Sequence, residues 1–154
     1  GVDTDYGEFS LGVSGSYILE YEHQATPSTP AVSRIDTLYN PTHLRLRGRA
    51  GFAKGGLTTN LFVNYTNSYR FDDLPGSQKV DSFTTYDLSI SYDLGNQFAG
   101  GNLGEPRVRF SVQNMFDTDP PATTNAPTFS VYGYDPTNAS PLGRFVSIEL
   151  STKF

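Results

Sequence analysis

The chain has no cysteine and one methionine among its 154 residues. Without cysteine there is no disulfide framework and no thiolate metal site. Cations are scarce too: 11 Lys and Arg stand against 16 Asp and Glu, for a net charge of −5 with no basic tract, so a nucleic-acid partner is not expected. No apolar run approaches the roughly 20 residues that a membrane helix needs. Residues 1–20 lack a basic head followed by an apolar core, so they do not read as a signal peptide. With no initiator Met either, the expectation is a processed or excised piece of a longer polypeptide. Catalytic signatures are missing as well. There is no Gly-x-Ser-x-Gly elbow, and His23 and His43 have no partnered nucleophile. Gly12-Val13-Ser14-Gly15-Ser16 lacks the lysine of a phosphate loop. His23 and His43 also lack a metal-ligand spacing. Asp72-Asp73 and Asp117/Asp119 read as turn and cap chemistry beside Pro and Gly. We expect no catalytic residue, no metal, no cofactor and no enzyme.

What the chain has is strand periodicity rich in aromatics. Apolar residues make up 36% and aromatics alone 14%, over a third of the apolar set, which suits a β-barrel with a lipid face and a polar lumen face. No helical period appears; six segments alternate with period two. The first sets Phe9, Leu11, Val13, Gly15, Tyr17, Leu19 and Tyr21 against Glu8, Ser10, Gly12, Ser14, Ser16 and Glu20, with Ile18 its only exception. The second sets Leu44, Leu46, Gly48, Ala50 and Phe52 against His43, Arg45, Arg47, Arg49 and Gly51. Three arginines on one face cannot point into lipid. The third runs from Leu57 through Leu61, Val63 and Tyr65 to Tyr69, opposite Thr58, Asn60, Asn64, Thr66 and Ser68. The fourth is Tyr86, Leu88, Ile90, Tyr92 and Leu94 opposite Asp87, Ser89, Ser91 and Asp93. The fifth is Val108, Phe110, Val112 and Phe116 opposite Arg107, Arg109, Ser111 and Gln113. The sixth sets Val146, Ile148, Leu150, Thr152 and Phe154 against Phe145, Ser147, Glu149, Ser151 and Lys153.

The connections agree with the strands. Links 23–42, 70–82 and 117–142 are long and rich in Pro, Ser, Thr, Asn and Asp, whereas 53–56 and 95–105 are shorter and Gly-rich. Long and short ends alternate, as in barrels with long extracellular loops and short periplasmic turns. Pairing Ala53 with Gly56 across a two-residue turn would set Arg49 opposite Asn60 and Phe52 opposite Leu57. With the last residue periplasmic, Phe9, Phe52, Tyr92 and Phe154 form a lower aromatic belt, and Tyr21, Tyr65, Tyr69, Tyr86 and Phe116 an upper one. From Phe9 to Tyr21, steps of ~3.3 Å tilted by ~40° span roughly 30 Å of membrane normal. Parity then turns Leu46, Ala50, Leu61, Val63, Leu88, Ile90, Val112, Ile148 and Leu150 to lipid, and Arg47, Asn60, Ser89, Ser111 and Glu149 to the lumen. Single-chain bacterial barrels start at eight strands, and an open edge in lipid leaves orphan backbone groups, so about six strands must belong to something larger.

Several short motifs, in order, carry a resemblance. Asp5-Tyr6-Gly7 leads into Phe9–Tyr17; Asn114-Met115-Phe116-Asp117 precedes Pro120-Pro121; Tyr134-Asp135-Pro136, Gly143-Arg144 and the terminal Phe154 follow. Together they resemble the C-terminal third of a TonB-dependent outer-membrane receptor, over essentially the whole of residues 1–154. Gly143, Val146, Ile148, Leu150 and Phe154 resemble the closing-strand signal read by the barrel assembly machinery, with Thr152 departing mildly where an aromatic is commoner. The resemblance implies a bacterial outer-membrane location. It also implies a 22-stranded antiparallel barrel plugged by an N-terminal domain and powered by the TonB complex through that plug, importing a scarce small-molecule ligand of the siderophore, cobalamin or oligosaccharide class. The plug and the remaining strands are not within these residues.

On this reading Arg45, Arg47, Arg49, Asn60, Asn64, Arg107, Arg109 and Gln113 line a possible ligand path on the lumen wall, and Phe129, Tyr132 and Tyr134 offer apolar contacts from an extracellular loop. The arginines have two readings. They attract an anionic ligand, or they are neutralised by Glu20 and Glu22, by Glu149, or by acids of a plug. The competing class is a soluble β-sandwich that binds carbohydrate, which would bury its apolar face between two sheets. A pore or adhesin built from oligomerised six-stranded units is a third.

Overall fold

The computed structural model describes residues 1–72, 77–95, 105–123 and 133–153. Phe129, Tyr132 and Phe154, singled out above, lie outside the described residues, as does Asp73.

Among the described residues eleven strands follow one another: β1 (Val2–Thr4), β2 (Gly7–Tyr17), β3 (Glu22–His23), β4 (Val32–Ser33), β5 (Leu44–Lys54), β6 (Leu57–Thr66), β7 (Tyr69–Arg70), β8 (Lys79–Val80), β9 (Phe83–Asp93), β10 (Glu105–Gln113) and β11 (Phe145–Lys153). Seven form one antiparallel sheet in the order β1-β2-β5-β6-β9-β10-β11, while β3-β4 and β7-β8 are two-residue ribbons inside the links. The sheet is an up-and-down meander. Its six long strands coincide with the six alternating segments, and the short β1 is an addition that the period-two count missed. No helix among the described residues is long and apolar enough to cross a membrane, which says nothing of strands.

Register keeps the aliphatic rows on one face of the sheet and most of the polar side chains on the other. Phe9, Leu11 and Val13 of β2 pair with Phe52, Ala50 and Gly48 of β5, and Ala50 and Gly48 pair onward with Leu61 and Val63 of β6. Leu61 meets Leu88 of β9, Leu88 meets Val112 of β10, and Val112 meets Val146 of β11. The opposite face carries Ser14, Arg47, Asn64 and Thr85 along one row and Ser89, Ser111 and Ser147 along another. Because a one-residue slip would exchange the two faces, this pairing is strongly specified by the pattern.

The β5–β6 hairpin departs from expectation. Lys54 pairs with Leu57, so the turn is Gly55-Gly56, and Arg49 faces Phe62 while Phe52 faces Thr59. Gly55 holds φ +57°, a left-handed value open to glycine at little cost. Moving the turn by one residue shifts the pairing by two, so the faces survive and the cross-strand partners change. The first strand also ends earlier than expected. Ile18 N–H still reaches the His43 carbonyl at 2.9 Å, but Leu19 and Tyr21 lie beyond β2.

The long links all leave one end of the sheet, and their described parts pack against each other. Thr37 bridges Arg70, the Arg70 N–H donates to the Asp36 carbonyl at 2.9 Å, and Leu38 N–H reaches the Phe71 carbonyl at 3.4 Å. Burial concentrates in this cap. Thr37, Thr42, Tyr69, Val80, Asn114, Thr123, Asp135 and Asn138 are buried there, whereas Val112 is the one buried residue of the sheet among those described. Tyr69, expected in the upper aromatic belt, instead turns into the cap because β6 stops at Thr66. The apolar face of the sheet is uncovered: Leu11 is 88% exposed, Val13 80%, Ile148 76% and Leu150 73%. Aromatic pairs mark its two ends, Phe9 with Phe52 at 5.0 Å between centroids and Tyr86 edge-on to Phe116 at 5.2 Å.

Candidate functional site

The polar face and the cap above it form the candidate site. Alternation in β5 places Arg45, Arg47 and Arg49 on this face, and each finds a different environment. Arg45, at the cap end, donates to the Thr137 carbonyl at 3.0 Å and to Asn138 Oδ1 at 2.5 Å. Arg47 donates to Asn64 Oδ1 at 2.9 Å and lies over the Phe62 ring at 4.4 Å from its centroid, a cation–π contact. Asp87 is 3.9 Å from Arg47, at the limit of an ion pair. Arg49 donates to Ser10 Oγ at 3.1 Å. Glu20 and Glu22, expected as neutralising groups, pair with none of the three; the chain leaves β2 at Tyr17, before it reaches them.

Asn64 is the centre of the next row. Its amide donates to Thr85 Oγ1 at 3.2 Å and Asp87 Oδ2 at 2.8 Å while its carbonyl oxygen accepts from Arg47, so one side chain ties three strands together. Asp87 also accepts the Asn114 backbone N–H at 3.0 Å, where β10 ends. Asn60 sits deeper on the same face, between Gly51 and Ser89. At the other end of the same face Arg109 meets Glu149 at 3.4 Å, as the sequence suggested. Arg107 does not share that carboxylate; it forms a two-armed pair with Asp93 across β9–β10, one arm at 3.1 Å. Gln113 closes β10, exposed and paired in register with Phe145.

The cap is built around a carboxylate. Asp135, 0% exposed, accepts from Tyr39 N–H at 3.0 Å, Thr137 N–H at 2.9 Å and Asn138 Nδ2 at 2.8 Å. Asn138 Nδ2 also donates to the Asn40 carbonyl at 2.9 Å. Tyr39 is held at φ +64°, an unfavourable conformation for a residue with a Cβ, which the bond to Asp135 helps to fix. Burial pushes the Tyr69 phenol far above its usual range, with the neighbouring Asp135 charge as the second cause. Lower in the cap, Asp36 accepts both His43 N–H at 2.7 Å and His43 Nδ1 at 2.5 Å. Tyr134, offered as an extracellular contact, is half-buried beside this hub.

The strap 133–142 therefore folds over the polar face. Between the strap and strands β6 and β9 lies a cavity of about 410 Å³ with an uncharged lining that includes Thr66, Phe83, Thr85 and Ser140. Its two amides, Asn64 and Asn138, are already fully engaged by their neighbours. The protein matches no known family profile, no curated protein and no solved structure.

Three contributors escaped sequence reasoning. Phe62 broke the alternation of its segment and so was left out; Asp87 counted only as one more polar alternate; and Asp135 counted as part of a short motif. Gly143, read as an assembly residue, has a local reason to be glycine. A Cβ there would lie 2.6 Å from Asp117 Oδ1, and that carboxylate is held by the Arg144 N–H at 2.7 Å. Val146, Ile148 and Leu150 lie together on the apolar face of β11, exposed, beside Val112, Phe110 and Val108.

Proposed function

We propose that this chain is a section of the wall of a TonB-dependent outer-membrane receptor, its apolar face toward lipid and its polar face toward the lumen, serving the binding and import of a scarce small-molecule ligand. One observation carries the reading: a sheet six long strands wide whose apolar face is uncovered, while burial among the described residues concentrates in the loop cap. Leaving side chains such as Leu11, Ile148 and Leu150 in water forgoes roughly 1.5–3 kcal/mol each, a cost that lipid removes.

Three further features support it. The long strands have 9 to 11 residues, the length a tilted membrane strand requires. Every arginine of the sheet lies on the polar face. Long and short connections alternate between the two ends. The outer edge of β11 has no partner among the described residues, as expected of a wall that continues into other strands. The β-sandwich alternative needs a second sheet on the apolar face, and the described residues include none there. In the proposed receptor the plug and the TonB complex supply energised transport, and the barrel assembly machinery inserts the wall.

Fractionation of the native protein tests the proposal. It should sediment with outer membranes, resist alkaline extraction and require detergent for release. Recovery in the soluble fraction without detergent would overturn the reading.

A further inference from the structure

The two halves of the polar face handle their arginines differently. In β10, Arg107 and Arg109 each pair with a carboxylate on an adjacent strand, Asp93 and Glu149. In β5, no acid stands opposite Arg47 or Arg49 on the adjacent strands: in register they face Ser14 and Gly12 on one side and Asn64 and Phe62 on the other, and Glu8 of β2 lies further along, opposite Ala53. Asp87, two strands away, reaches only Arg47, at 3.9 Å, and no carboxylate of the described residues pairs with Arg49.

The surface next to these arginines also carries only short side chains. β2 presents Ser10, Gly12, Ser14 and Ser16 to this face, and above Gly12 a Cβ would meet nothing within 4 Å. Arg47, Arg49, Phe62, Gly12 and Ser14 thus border a shallow groove of about 240 Å³ with two guanidiniums on one bank and an open floor. Residues 47 and 49 are one pleat repeat apart, about 6.6 Å. An extended chain with acids at alternate positions repeats at the same spacing, and a planar guanidinium takes a carboxylate bidentately.

We propose that an extended acidic polypeptide segment, with Asp or Glu at alternate positions, docks along β2 on the polar face and pairs its carboxylates with Arg47 and Arg49. This inference rests on the reading of the polar face as an interior wall, where a partner segment is sheltered from competing salt. The partner supplies the carboxylates that the β5 half lacks, and the Ser/Gly floor gives its backbone room.

Photo-crosslinking in the intact receptor in its native membrane tests it. A benzophenone residue in place of Ser14, with Gly12 as a second position, reads the polar face; the same residue in place of Val13 reads the apolar face. We expect Val13 to label acyl chains and Ser14 to label a polypeptide segment with alternating acids. That second label should fall about tenfold when Arg47→Gln and Arg49→Gln are combined, since losing one close charge pair costs at least that much. Lipid labelling at Val13 with no acidic segment at Ser14 and Gly12, or a label unchanged by the glutamines, would overturn this inference alone. No lipid labelling at Val13 would overturn the wall reading and this inference with it.

Discussion

A carboxylate without exposed surface is tolerated only where donors surround it, and Asp135 takes them from Tyr39 N–H, Thr137 N–H and Asn138 Nδ2. Asp135→Ala leaves those donors without an acceptor, so the cap should lose about 3 kcal/mol while the sheet keeps its pairing. Amide hydrogen exchange would show it: faster exchange at Tyr39 and Thr137, unchanged exchange across β6 and β9. Equal loss of protection in the strands would mean that the cap and the sheet unfold as one unit. Tyr69 adds a pH dependence of known sign. Its folded pKa is raised, so the folded cap holds the phenol proton more tightly than the unfolded chain does. The associated stability is complete below the unfolded value near 10 and is lost as pH climbs beyond it. Ultraviolet titration should therefore find one tyrosine that ionises only as the cap opens, and Tyr69→Phe should abolish that late step. A normal titration of all ten tyrosines would contradict it.

Among the elements, the junction of β10 and β11 shows how a short motif becomes geometry. Asn114 and Asp117 adopt φ of +47° and +58°, Asn114 accepts from and donates to Thr118 at 2.9 Å each, and Asp117 receives the Arg144 N–H. Gly143 must stay small beside that carboxylate. Gly143→Ala should displace Asp117, break its bond to Arg144 and cost about 1 kcal/mol, read as a lower thermal midpoint, with Asp117→Ala in the same background adding little. Additive losses would separate the two residues. The strands themselves were legible in the sequence because period two is a local signal, and the six alternating segments became the six long strands. The β5–β6 register was less so, since Ala53-Lys54-Gly55-Gly56 admits two adjacent turns of the same parity, and the structure takes the one that pairs Lys54 with Leu57. The cap was not legible at all. Asp135 meets Tyr39 across 96 positions, and no spacing along the chain announces such a contact.

At the scale of the whole, the described residues form a two-faced sheet under a packed cap, with most of the burial in the cap and little on the sheet's apolar face. A soluble fold of this size would bury the aliphatic rows of β2 and β11, yet Leu11, Val13, Ile148 and Leu150 are among the most exposed apolar residues described. The wall reading makes the two faces answer to different solvents, and adjacent positions at the centre of β9 separate them cleanly. Leu88 pairs with Leu61 and Val112 on the apolar face, while Ser89 pairs with Asn60 and Ser111 on the polar one. Folding stability of the intact protein in lipid bilayers, measured for Leu88→Arg and Ser89→Arg, is the most direct test. The account predicts a loss of about 2–4 kcal/mol for Leu88→Arg, a lipid-facing charge near the midplane, and little change for Ser89→Arg; equal losses at both sites, or a larger loss at Ser89, would contradict it.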